Sequence, residues 1–236
     1  MHDQVPGLIV AAVLASAPIA LAQDGAPPGT RVGDVHEGRL VGGGAELPAR
    51  GDGFHFVTNR GNPDARYGAP SLVGALVRAA RAVAQAHPGS DLAIHDLAHH
   101  GGGPIRGDGS HRSGRDVDIA YYATLADGTP MNPTASIWFV GGGRERGAPA
   151  ATGRRFDATR TWAFLRALLD DDAIRVSHVF MAPPLQRLVL DAAGRDAHRI
   201  RPVLRRPRGR RVDPHADHFH VRIHCPRGDL RYGCVD

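Results

Sequence analysis

Apolar positions along the chain follow two different periods. At 53–58 (GFHFVT) apolar and polar residues alternate as in a short strand. After Pro70 the residues Leu72, Val73, Leu76, Val77, Ala80 and Val83 recur at i, i+3 and i+4, predicting an amphipathic helix that ends before Pro88-Gly89. Residues 92–94 (LAI) read as a strand. Glycines at 101, 102, 103, 107 and 109 predict a loop, and 117–122 returns to strand character. The polar, glycine-rich stretch 123–156 shows no period. Asp157 is placed to cap a helix carrying Trp162, Leu165, Leu168 and Leu169, and 174–181 reads as a strand after the acidic break at 170–172. Pro184 opens a further helix through Leu185, Leu188 and Val189, and 219–223 forms the last strand. Residues 23–45 read as an extended leader and 46–236 as one domain. Strands and helices alternate without regular βαβ spacing, which predicts an α+β fold: a small, largely antiparallel sheet with flanking helices and long loops.

Composition narrows the class. With 236 residues, 42% of them apolar, the chain can bury a real core, which excludes a disordered or collagenous protein. The net charge is +5, and all 29 basic residues are arginine. That balance is compatible with any polyanionic partner and selects none. Residues 8–21 form an apolar run of the length of a secretory h-region, and Ala20-Leu21-Ala22 supplies the small-x-small pattern of a cleavage site, so 1–22 is expected to be a signal peptide and the protein periplasmic or secreted. The run is too short, and too interrupted by Pro18, for a membrane span. The segment before it carries Asp3 and no basic residue, which is irregular for such a signal. In an oxidising compartment the two cysteines, Cys225 and Cys234, are expected to pair in a disulfide that staples the tail.

Candidate chemistry concentrates in two segments, 110–119 (SHRSGRDVDI) and 215–222 (HADHFHVR). Strand alternation puts His218 and His220 on one face, with Phe219, Val221 and Ile223 facing the core, and it turns Asp118 toward the histidine face between the buried Val117 and Ile119. His111 arrives from the glycine-rich loop. His111, Asp118 and one of the strand histidines can therefore converge, and two imidazoles with one carboxylate suit Zn²⁺ with a position left open for water. The remaining histidine is placed as a general base or as a donor to the developing oxyanion. Spacing alone leaves open which of His218 and His220 takes which role. Asp116 shares the face of Asp118, either orienting a ligand histidine or pairing with an arginine. Asp217 is expected to face away and is not counted as a ligand. His99 and His100 read as a solvated loop pair, and His224 as a residue of the sheet margin. Ser110 and Ser177 lack the context of a serine nucleophile.

The pattern SHxxGxDVDI at 110–119, followed by HxxHxHVRxxCP at 215–226, resembles the LAS metallopeptidases, the group of lysostaphin, D-Ala-D-Ala peptidases and the hedgehog signalling domain. Within that group the chain resembles the penicillin-insensitive murein endopeptidases. ELPARGDGF, RYGAPSLV, GGGPIRGDG and HVFMAPPLQRLVLDAAG lie in the same order, so the likeness covers residues 40–226. The resemblance implies a LAS/hedgehog-like zinc peptidase domain holding one zinc ion on His111, Asp118 and His220. It further implies His218 as the catalytic histidine and His215 as an accessory histidine near the water or the oxyanion. The implied substrate is the D-alanyl to meso-diaminopimelate cross-link of peptidoglycan. Asp108 departs from the pattern, standing where the best-known member has a histidine, which alters any supporting role next to the ligands.

Two rivals remain: a D-Ala-D-Ala carboxypeptidase acting on stem peptides, and a catalytically silent zinc-bearing wall binder. The arginine-dense stretch 201–211 would suit a nucleic-acid reader, but expected export and the lack of interleaved aromatics argue against one. Whether that stretch meets anionic peptide carboxylates or only water is open at this level.

Overall fold

A computed structural model of the chain describes residues 25–58, 61–207 and 213–236. The apolar run 8–21 with its expected cleavage site, and the arginines at 208, 210 and 211, lie outside the described residues. The architecture is mixed α+β. Its centre is a seven-stranded sheet in the order Leu204–Arg205, Val176–Phe180, His218–Ile223, Asp116–Ala120, Leu92–Ile94, Phe54–Phe56, Arg50–Gly51. Four of its junctions are antiparallel, and the two joining Val176–Phe180 to Leu204–Arg205 and Phe54–Phe56 to Leu92–Ile94 are parallel.

Three helices cover the apolar face. α1 (Pro70–Ala86) begins with Pro at its first turn, where the missing N–H is not needed, and buries Leu72, Val73, Leu76, Ala80 and Val83. α2 (Ala158–Leu169) is capped by Asp157, whose carboxylate accepts from the Arg160 amide at 3.0 Å, and α3 (Pro183–Ala193) ends at Gly194 with φ 53°. α2 packs against both others, and beneath them Val117, Ile119, Phe219, Val221 and Ile223 form the middle of the core. Phe219 stacks on Tyr121 at 5.6 Å and meets Phe164 edge-on. With this side of the two central strands filled, their other side is committed to the polar residues.

Two segments are more ordered than their patterns predict. The aperiodic 123–156 stretch contributes strands of two residues each, such as Ala123–Thr124 and Phe139–Val140, to a separate five-stranded sheet. Strands that short contain no alternation to detect. Within the expected leader, Thr30–Val32 pairs antiparallel with Arg39–Val41 and is buried. Arg31 is ion-paired with Asp229 there, and in the turn beyond, the Gly109 carbonyl accepts from His36 Nδ1 at 2.8 Å. The leader reading is corrected accordingly: residues 30–41 are part of the folded body, held by contacts far away in sequence that no local period encodes.

Candidate metal centre

The site is built from two neighbouring strands and the loops entering them. Register sets His220 opposite Asp118 and Arg222 opposite Asp116, and cross-strand partners share a face. His111 enters from the glycine-rich loop and His215 from the segment before the last strand. Both adopt left-handed backbone, with φ of 68° and 51°, and they are the only non-glycine residues to do so among the described residues. Such conformations cost about 1–3 kcal/mol each and persist where neighbours hold them. The His111 amide donates to Asp116 Oδ2 at 3.1 Å, and the His215 amide donates to Asp213 Oδ1 at 2.8 Å.

Three imidazoles converge on one carboxylate oxygen. Asp118 Oδ1 lies 2.9 Å from His220 Nδ1, 3.5 Å from His111 Nε2 and 3.7 Å from His218 Nε2. The far nitrogen of each ring is occupied. His111 Nδ1 donates to the Leu97 carbonyl at 2.7 Å, His220 Nε2 lies 2.9 Å from Asp116 Oδ1, and His218 Nδ1 lies 2.7 Å from Asp217 Oδ1. One ligand atom from each of His111, Asp118 and His220 lies within 4.8 Å of the others, and all three residues are buried. His215 completes the group with its ring 4.9 Å from that of His218. These five residues line a cleft of about 1070 Å³ together with Asp108, which sits on the glycine-rich loop.

Asp116 does both things left open by its sequence position. Fully buried, it accepts from Arg222 Nε at 2.7 Å and meets His220 Nε2. Asp217 is a correction: the regular strand begins only at His218, so strand alternation does not govern the residue before it, and its carboxylate turns back onto the His218 ring. The sole signal was an acid directly preceding a candidate histidine. Asp96 was also missed. It lies behind the centre, accepts from Asn62 Nδ2 at 3.0 Å and has its other oxygen buried without a partner; burial raises its carboxyl to about 6. Asp96 belongs to no period. His100 is exposed against Tyr67, and His224 pairs with Asp236, so neither joins the centre.

The charges of the cluster are set by burial against proximity. Burial disfavours the charged ring of His111 and of His218, but the surrounding carboxylates, Asp118 foremost with Asp116 beside His111 and Asp217 beside His218, outweigh it and raise both to about 9. The same contacts hold Asp118 well below the carboxylate range despite its burial. His215 goes the other way, lowered to about 4 by burial and by the neighbouring His218 and His220. One imidazole is thus neutral beside two that hold protons tightly.

Fold and site together define a class: a mixed α+β protein with a buried cluster of histidine and aspartate, capable of holding a metal ion, at the floor of an open cleft. The chain belongs to the penicillin-insensitive murein endopeptidase family, whose model matches residues 31–236. It is 28% identical over 201 residues to the penicillin-insensitive murein endopeptidase of Haemophilus influenzae, a stretch that covers 83% of this chain and 63% of that relative. The chain thus spans less than two thirds of the relative's length.

Proposed function

We propose that the chain is an exported zinc metalloendopeptidase of LAS/hedgehog-like fold that hydrolyses the D-alanyl to meso-diaminopimelate cross-links of peptidoglycan. The observation that carries this reading is the convergence of three imidazoles on Asp118 Oδ1 at the floor of a cleft. The donor set fits zinc. His111 and His220 each have one nitrogen tied to a protein oxygen and the other turned toward Asp118, the arrangement that fixes tautomer and ring orientation in ligand histidines. His111, Asp118 and His220 would hold the ion, which supplies a Lewis acid to polarise the scissile carbonyl and acidify water.

The chain's own groups then divide the proton work. His218, clamped by Asp217 and holding its proton beside Asp118, presents Nε2–H toward the centre and would give that proton to the leaving amine, while His215 would take the proton of the attacking water. Neutral His215 donates from Nδ1 to the Asp213 carbonyl at 2.7 Å. Its Nε2 is then a lone-pair acceptor, a role on the side of the attacking water rather than of the oxyanion. Asp116 orients His220, and Asp108 lines the cleft beside them.

Export rests on the apolar run 8–21 with cleavage after Ala22, and places the enzyme in the periplasm or outside the cell. Among the described residues no helix is long and apolar enough to cross a membrane. The test is mass analysis of cross-linked muropeptide dimers incubated with the protein, with and without chelator, beside His218→Ala. Chelator-sensitive conversion to monomers, abolished by the substitution, is the expected result. Intact dimers with release of free D-alanine from pentapeptide stems would instead make the chain a carboxypeptidase.

A further inference from the structure

The strand register carries the metal centre sideways into a feature that the proposed chemistry does not use. Asp118 pairs with His220, His220 with Phe180, and Phe180 with Arg205, so a single row runs across four strands on one face. From the centre outward the row reads carboxylate, imidazole, aromatic ring, guanidinium. Neighbouring strands are about 4.8 Å apart, so the Arg205 backbone lies about 10 Å from that of His220, a span of about three residues of extended peptide. The Phe180 ring lies between them, edge-on to His220 at 5.4 Å and stacked on His178 at 5.5 Å.

Arg205 is not alone on this rim. Arg201 and Arg206 line the same cleft, and among the described residues none of the three has a carboxylate partner. Arg222, by contrast, is engaged by Asp116. Arg205 uses Nη1 on the carbonyls of Pro202 and Leu204 and keeps its remaining donors. The segment is held in place by the buried Gln186, whose amide donates to the Arg205 carbonyl at 2.7 Å and to that of Met181 at 3.0 Å. The charge of Arg205 is also felt inside the cleft, where, after burial, it contributes with Arg222 to lowering the proton affinity of His178. A cationic rim, an aromatic step and a reactive centre in register make a ruler for a carboxylate near a bond to be cut.

We propose that Arg205, with Arg201 and Arg206 on the same rim, binds a carboxylate of the substrate peptide, so that the cleft selects acidic cross-linked peptides over their amidated counterparts. Phe180 provides the apolar floor for the stretch between that carboxylate and the scissile bond. The proposal rests on the peptidase reading given above and specifies its substrate class. A guanidinium–carboxylate contact of this kind corresponds to about 10- to 100-fold in kcat/KM.

The experiment uses the full chain and two synthetic cross-linked stem peptides, identical except that the carboxylates near the scissile bond are free in one and amidated in the other. The wild type is expected to cleave the acid form about 10- to 100-fold faster in kcat/KM. Arg205→Gln, alone and with Arg206→Gln, should bring that ratio toward one, chiefly through KM, and Arg205→Lys should retain part of it. Equal cleavage of both peptides by the wild type overturns the rim while leaving the peptidase intact. Full preference surviving in the folded double variant also overturns it. Cleavage of neither peptide overturns the peptidase reading and the rim with it.

Discussion

Asp217 contributes to no hydrophobic period, yet its carboxylate decides how the His218 ring stands. A histidine whose Nδ1 is held keeps Nε2 aimed, and removing the acceptor allows the wrong tautomer. Asp217→Asn should therefore lower kcat by about 10- to 100-fold with zinc content unchanged. Metal analysis beside steady-state kinetics checks this, and loss of zinc in parallel with rate would make Asp217 part of the metal's support instead. His111 gives a pH signature. Its proton affinity is raised from 6.5 to about 9, so its charged form contributes stability that is fully present below pH 6.5 and lost as pH rises through about 9. Zinc requires the neutral ring, so stabilisation by zinc should grow over the same interval. Melting temperatures with zinc and with chelator should diverge as pH rises between those limits; a narrowing gap would remove His111 from the ligand set.

The elements that build the site are stabilised at points remote from it. Asp157 caps α2 and also pairs with the buried guanidinium of Arg160, which further donates to the carbonyls of Ala123 and Met131. Arg160 thus ties α2 to the five-stranded sheet. Asp157→Ala strands a buried charge, and should cost about 3–5 kcal/mol rather than the roughly 1 kcal/mol of an ordinary cap. Denaturant midpoints measure the difference. Phe219, fully buried between Tyr121 and Phe164 on the reverse of the strand that carries His218 and His220, should cost about 3–5 kcal/mol on truncation to Ala. These helices and strands were legible because they are long enough to show a period. The two-residue strands of 123–156 and the 30–41 hairpin were not, since their partners are distant and their own sequence holds no repeat.

Across the whole molecule the hairpin at 30–41 meets the C-terminal tail. A disulfide joins Cys225 to Cys234, the Gly33 amide donates to the Gly233 carbonyl, and the buried Arg115 donates to the Val235 carbonyl and to Asp236. Arg115 immediately precedes Asp116, so the tail is tied to the start of the strand that carries Asp118. Cys225→Ser should lower stability by about 2–3 kcal/mol, the loop-closure value for a short ring. Comparing denaturant midpoints of that variant and of the reduced wild type checks the value.

The local sequence determined the faces: alternation alone placed His218, His220 and Asp118 away from the core, glycine spacing delivered His111 in a loop, and the motifs carried the family. It could not choose between His218 and His220, because both lie on one face of one strand and local pattern contains no register. Only the tertiary structure sets His220 opposite Asp118 and turns Asp217 onto His218, the difference on which the proposed division of roles rests. The row from Asp118 to Arg205 has the same origin, since it joins strands from three distant parts of the chain through backbone pairing. Side-chain direction is a property of neighbouring residues, whereas proximity across a sheet is a property of the whole fold.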